Sequence, residues 1–394
     1  MKPVPALQDK FTFYTKRRVD FVALLTKNKL IIDKMYAALY SVDIETGFIK
    51  AEALEMAKKL TISEIAEKAG VSKATVSRVL NSSDSVNTET REKVMSVINK
   101  YDYTPSSMAR ILSKNESNIV GVLIPEIENP FFGEILKVVS ETISRNNLTM
   151  ICFNSGNKRE NDEKALASMR DYRIKGLIYT PAVDYTQSPE DLQRIRKYLK
   201  DLDAPIVFLD RRIENLPNSE GVYFNNYKGA YLAVQRMAEA GHKKIGIINA
   251  SLDRVLARER QNGYLDALRD CNLEADERYM FFGDYSIEKS YELSQKCLQM
   301  QDRPTAVLTC NNFTSIGFLK ALTQAHLTLN EDIACVGFDR LDTLDELGWP
   351  FNYIERNIRR MGEQAIEKLT SRIAFPQKAY KDEIIDPELV IRKL

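Results

Sequence analysis

TISEIAEKAGVSKATVSRVLN, residues 61–81, reads as two short helical patterns that meet at a glycine. Ile62, Ile65, Ala66 and Ala69 make one apolar face, and Val76, Val79 and Leu80 make the next. Gly70 permits a tight turn between them, because glycine alone tolerates a positive φ without steric cost. Thr61 and Glu64 stand at the spacing of a capping box, and Ser72 is placed to cap the second helix. The outer face of that second helix carries Lys73, Ala74, Thr75, Ser77 and Arg78. Small residues permit close approach to a major groove, hydroxyls reach phosphate, and arginine pairs with guanine. Two helices at this angle also occur in proteins that never touch DNA, so the flanking sequence decides the reading.

Downstream, Thr88 is placed to cap a third helix that turns Val94, Val97, Ile98 and Tyr101 toward its partners, and Pro105 breaks the chain. SSMARILSK, residues 106–114, has the pattern of one short helix capped by Ser106, which orders only against a partner. Upstream, residues 1–55 contain apolar helical stretches but no motif. They are either an accessory extension or lie ahead of a true start at Met56, where MAKKLTISEIA opens a DNA-binding unit naturally. The second reading is favoured. The expected organisation is an extension over 1–57, a helix–turn–helix domain over 58–104, a short helix and linker over 105–117, and a larger domain from 118 to 394.

The 394 residues suffice for two or three domains with real cores. Net charge is +1 overall but +4 over residues 1–60, +2 over 61–114 and −5 over the remainder, a basic front on an acidic body. The five cysteines are scattered with no CxxC pair, several in apolar strand patterns, and read as buried reduced thiols of a cytoplasmic protein. With only His242 and His326, a histidine-based metal site is not expected, and neither is a cofactor. No apolar run approaches the roughly 20 residues of a membrane span, and the run after Lys16, Arg17 and Arg18 is too short for a signal peptide.

From residue 118 the pattern alternates. Apolar runs at 119–124, 148–153, 176–180, 205–210, 244–250, 305–310 and 333–339 are separated by helical stretches. Continuous apolar strands joined by helices predict an α/β fold of parallel sheets covered on both faces. The length suggests two similar lobes, with ligands beyond the carboxyl ends of the strands. That directs attention to residues 125–132, 180–181, 210–211, 251–260, 311–312 and 338–339.

In order and spacing, these residues resemble the LacI/GalR family of bacterial transcription regulators from about residue 61 to the end. The markers are AGVSKATVSRVLN, the V-x-x-x-T-R-E-K-V run at 86–94, Y-x-P at 103–105, ENPFF at 128–132, AGHKKIG at 240–246, VGFD at 336–339 and the final PELVIRKL. The resemblance implies an N-terminal helix–turn–helix, a hinge helix and a two-lobed effector domain like periplasmic sugar-binding proteins. Lobe 1 is expected over about 118–224 plus 357–380, and lobe 2 over 225–356 plus 381–394. It implies a homodimer on a pseudopalindromic operator, regulating carbohydrate-related genes. The absence of a leucine-heptad tail argues against a tail-assembled tetramer. The DNA-contacting set it implies is Thr61, Ser72, Lys73, Ala74, Thr75, Ser77, Arg78, Asn81, Arg110 and Leu112. Lys73, Ala74 and Arg78 fall at base-reading positions, and Leu112 falls where the family wedges a leucine into the minor groove.

By the same resemblance the effector pocket takes Phe131 and Phe132 as an aromatic wall, Arg254, Arg260, Asn312 and Asp339 as polar contacts, and Tyr285 as a second wall. Asp339 matches an acid that accepts sugar hydroxyls. Two departures stand out: the family usually has Asp–Asn where this chain has Asn225 and Asn226, and Asp where it has Asn312. Both remove a carboxylate while two arginines remain, and arginine forks match carboxylate and phosphate. The expected effector therefore carries an anionic group, as in a sugar acid or sugar phosphate. The rival of a solute-binding protein shares the lobes but has no use for a helix–turn–helix. An enzyme is not expected, since the chain lacks a P-loop, a GxGxxG after a strand and a GxSxG.

Overall fold

A computed structural model describes residues 60–80, 85–103, 117–217 and 219–394. The expected extension and hinge helix, and with them Asn81, Arg110 and Leu112, lie outside the described residues. Two compact units divide at residue 109.

The first unit holds α1 (Ile62–Ala69), α2 (Lys73–Leu80) and α3 (Thr88–Lys100). Thr61 caps α1 in a full capping box with Glu64, and Gly70 closes it at φ 66°, ψ 33°. Ser72 Oγ accepts the Thr75 amide at 3.1 Å, so it caps α2 as its position implied. The cap of α3 differs from expectation: Asn87, not Thr88, holds the extended N-cap backbone, and its Oδ1 accepts the Thr90 amide at 2.8 Å. Ile65, Ala66, Val76, Val79, Val94 and Ile98 form the core. Tyr101 caps the end of α3, where Lys68 and Lys100 lie over its ring, and Tyr103 joins the core cluster.

The second unit contains two six-stranded sheets with equivalent strand order. The strands in chain order are β1 (Ile119–Ile124), β2 (Thr149–Asn154), β3 (Gly176–Tyr179), β4 (Ile206–Leu209), β5 (Ser219–Phe224), β6 (Ile245–Ala250), β7 (Met280–Gly283), β8 (Ala306–Thr309), β9 (Ala334–Phe338), β10 (Asn352–Glu355), β11 (Glu383–Ile385) and β12 (Glu388–Val390). One sheet runs β11-β5-β4-β3-β1-β2 and the other β12-β10-β9-β8-β6-β7. Pairing is parallel throughout except β12 on β10.

The helices are α4 (Pro130–Arg145), α5 (Arg159–Asp171), α6 (Pro189–Asp201), α7 (Asn226–Glu239), α8 (Val255–Asp270), α9 (Ile287–Gln299), α10 (Asn312–Gln324), α11 (Asp342–Glu346) and α12 (Ile358–Ala374). In lobe 1, α4 and α12 cover one face of the sheet and α5 and α6 the other. In lobe 2, α7 and α8 face α9 and α10 across the sheet in the same way. Each sheet is thus buried on both faces, which is why the central strands read as unbroken apolar runs. At the α7–α8 contact, a Cβ added to Gly263 would strike the Tyr227 carbonyl. Gly263→Ala is expected to destabilise lobe 2 by about 1–3 kcal/mol through overpacking, read as a lowered urea midpoint; an unchanged midpoint would refute this close approach.

The chain crosses between lobes three times, after β5, after β10 and between β11 and β12. This corrects the expected lobe boundary at residue 381. Glu383–Ile385 pairs with β5 and Ile385 enters the lobe 1 core, so only the segment from β12 onward belongs to lobe 2. The thiols also divide. Cys297, Cys310 and Cys335 are buried, and burial pushes each up to about 12, whereas Cys152 on the edge strand β2 is exposed.

Candidate functional site

Helix α2 presents its outer face as the sequence implied. Val76 and Val79 are buried, while Lys73, Ala74 and Arg78 are exposed. Ser72 and Thr75 hydroxyls bond each other at 2.9 Å at the start of the helix. Among the described residues neither Lys73 nor Arg78 takes part in an ion pair, so both charges are available to a phosphate or a base edge. Thr61 is engaged by Glu64 within its own capping box.

The second site lies where the carboxyl ends of the two sheets converge. Asp210 follows β4 and Asp339 follows β9, equivalent strands of the two lobes. Both aspartates adopt left-handed backbone, at φ 60° and 70°. Each amide is held by the neighbouring strand, Asp210 on the Val222 carbonyl and Asp339 on the Ile354 carbonyl, both at 3.1 Å. Such conformations persist only where the surroundings over-determine them and gather at functional sites.

Arg356, on the crossover after β10, ties the two aspartates together. Its Nε and Nη2 donate to Asp339 at 2.5 and 2.7 Å, and its Nη1 donates to Asp210 at 3.1 Å. All three side chains are buried. Burial opposes the arginine's charge, but Asp339 and Asp210 more than offset it and hold the guanidinium above its ordinary value. Its Cζ lies 3.8 Å from the centre of the Phe131 ring. Of the implied aromatic wall, Phe131 therefore meets the cleft through Arg356, and Phe132 packs edge-on to it within the lobe 1 core.

Arg260 is buried and committed to lobe 2. It donates to Asn226 Oδ1 from Nε at 3.0 Å and Nη2 at 2.8 Å, bonds the Cys310 carbonyl, and stacks on Phe338. Arg254 differs. Its guanidinium lies 5.7 Å from the centre of the Tyr285 ring, and no carboxylate among the described residues pairs with it. Tyr285 is half-buried at φ 74°, bonds Asn249 through its hydroxyl at 2.8 Å, and is pushed up to about 12 by burial. From lobe 1, Arg211 donates to the Pro181 and Ala182 carbonyls at 3.0 and 3.1 Å. Burial lowers its pKa, Asp210 resists, and the charge of Arg254 adds to the lowering.

Other contacts cross the cleft. Asn312 Nδ2 donates to Asn129 Oδ1 at 2.8 Å, and Arg258 pairs with Asp184 at 3.1 Å. Asn225, by contrast, sits at a crossover and gives its amide to Asp386 at 3.1 Å. That departure does not bear on the charge of the cleft, which turns instead on Asn312 and Arg254. Arg356 was missed because it follows NYIE, a strand with no apolar run to announce it. Arg211 was within reach, since residues 210–211 lie at a strand's carboxyl end.

A helix–turn–helix joined to a two-lobed domain with a charged cleft defines a DNA-binding regulator that responds to a small molecule. Comparisons with known proteins agree. The model of periplasmic binding proteins and sugar binding domains of the LacI family matches residues 117–389, and that of bacterial regulatory proteins of the lacI family matches 61–106. The HTH-type transcriptional repressor PurR of Mannheimia succiniciproducens is 32% identical over 333 residues, covering 84% of this chain and 98% of that protein. The ribose operon repressor of Haemophilus influenzae is 29% identical over 333 residues, with the same coverage. The lac repressor dimer bound to operator and the anti-inducer ONPF superposes with a TM-score of 0.73 at 25% identity, over 85% of this chain and 99% of that one. The chain belongs to the LacI family.

Proposed function

We propose that the protein is a cytoplasmic repressor that binds a pseudopalindromic operator as a homodimer, inserts α2 into the major groove, and is governed by a sugar-like effector carrying a carboxylate or phosphate. Lys73, Ala74 and Arg78 read bases, while Thr61, Ser72, Thr75 and Ser77 flank them toward the backbone. Asn81, Arg110 and Leu112 complete the DNA contacts. The effector sits between the lobes against Phe131, Arg254, Tyr285 and Asn312. It shifts operator affinity by linkage, since a ligand that favours one lobe arrangement favours whichever DNA-binding state accompanies it.

The observation that carries the anionic assignment is Arg254, a cleft guanidinium with an aromatic ring beneath it and no carboxylate paired to it among the described residues. A thermal-shift screen of the full chain against neutral sugars, sugar acids, sugar phosphates and purines tests it. Ligand at 100 times Kd stabilises a folded state by about 2.7 kcal/mol. Stabilisation is expected from the anionic sugars and is expected to vanish in Arg254→Ala. A response to neutral sugars alone sinks the assignment and leaves the DNA-binding reading standing.

A further inference from the structure

We infer that Arg356 determines which ligands the cleft accepts: by occupying Asp210 and Asp339 it withdraws both carboxylates from hydroxyl binding and leaves the other guanidinium groups to select an anion. This rests on the effector site proposed above and adds the residue that sets its specificity.

A neutral sugar is held by acceptors for its hydroxyl protons, and ionised carboxylates are the strongest acceptors a protein offers. The two strand-end aspartates are placed for that task. Both oxygens of Asp339 are taken by the Arg356 fork, and Oδ1 of Asp210 by its third donor. The remaining oxygen, Asp210 Oδ2, lies 3.9 Å from Arg211 Nε. A hydroxyl reaching Asp339 must compete with the buried Arg356 fork for both oxygens, and one reaching Asp210 meets a carboxylate whose charge Arg356, packed on Phe131, already offsets. The exchange is unfavourable for an uncharged ligand.

The cations are distributed in the opposite sense. Arg356 is neutralised by its own two partners, and Arg260 is spent on Asn226 and Cys310. Arg254 from lobe 2 and Arg211 from lobe 1 repel each other across the gap, and Arg211 is held by one terminal nitrogen on two carbonyls and by the approach of its Nε to Asp210 at 3.9 Å. An anion between them relieves that repulsion and draws the lobes together. Arg356 thus works by subtraction. Without it the aspartates would neutralise Arg211 and Arg254 or accept hydroxyls, and the cleft would suit a neutral ligand.

The test titrates full-length wild type, Arg356→Gln and Arg356→Lys by calorimetry with aldose phosphates and aldonic acids, each paired with its neutral parent aldose. Wild type is expected to prefer the anionic member. In Arg356→Gln the ratio of anionic to neutral affinity is expected to fall at least ten-fold, and Arg356→Lys, which keeps the charge, is expected to retain the preference. If Arg356→Gln alone does not fold, Arg356→Gln with Asp210→Asn leaves a single carboxylate and carries the same expectation. An unchanged preference in the glutamine variant overturns the role of Arg356 while leaving the anionic reading intact. A wild type that binds only neutral sugars, or none of the panel, overturns both.

Discussion

An Arg78→Ala variant is expected to bind its operator about 2–6 kcal/mol more weakly than wild type, counting about 1–3 kcal/mol for a bidentate guanine contact in each of two half-sites. That is on the order of 30-fold to 10⁴-fold in affinity. The residue is exposed on α2 and contributes nothing to the Ile65–Val76–Val94 core, so the unfolding transition should not move. Effector binding, which belongs to the other unit, should also persist. An operator selected from a random pool with the full chain, followed by fluorescence anisotropy at fixed salt, gives the comparison. An affinity within two-fold of wild type would show that Arg78 does not read a base. Lys73→Ala is a useful contrast, because a phosphate contact weakens all sequences alike and lowers the salt dependence.

The second large effect is expected at Asp162. This carboxylate is buried on α5, and its Oδ2 accepts the Tyr179 hydroxyl at 2.6 Å, the Ala182 amide at 2.9 Å and the Tyr185 hydroxyl at 2.9 Å. Its Oδ1 has no partner among the described residues. Asp162→Ala would strand three buried donors and is expected to cost about 3–5 kcal/mol of stability, since each orphaned group costs about 1–3 kcal/mol and the site relaxes in part. The damage should extend to the cleft, because the segment that Asp162 holds at Ala182 supplies the carbonyls that anchor Arg211. A loss under about 1 kcal/mol in urea unfolding would contradict this assignment.

Asp162→Asn keeps an acceptor for the three donors and separates charge from geometry. Burial raises the Asp162 carboxyl above its ordinary value, against the pull of its hydrogen bonds. The folded chain therefore holds this proton to a higher pH than the unfolded chain. Stability gained from it is complete below the unfolded value of about 3.9 and is lost as pH rises through the folded value. Across that window wild type should lose stability relative to Asp162→Asn as pH increases. Parallel pH profiles for the two proteins would show that the carboxyl is not perturbed in this direction.

Much of this architecture was legible in local sequence. Helices α1 and α2, their caps and the glycine between them follow from 3.6-residue periodicity and side-chain oxygens at fixed offsets, which act within one turn. The central strands were legible because a strand buried on both faces must be apolar along its length. SEGVYF of β5, NYIE of β10 and the three-residue β11 and β12 were not, because short or flanking strands are stabilised by their neighbours more than by their own pattern. The assignment of β11 to lobe 1 depended on a partner strand far away in sequence.

The same division runs through the sites. The exposed face of α2 and the strand-end positions of Asp210 and Asp339 are consequences of sequence alone, because periodicity decides which side chains turn outward and where a strand stops. The state of those aspartates was decided only by tertiary structure. Arg356 reaches one of them across 17 residues and the other across 146, and nothing local marks it. Charge pairing depends on distance in space, and here the fold brought together a cation and two anions that the chain keeps apart.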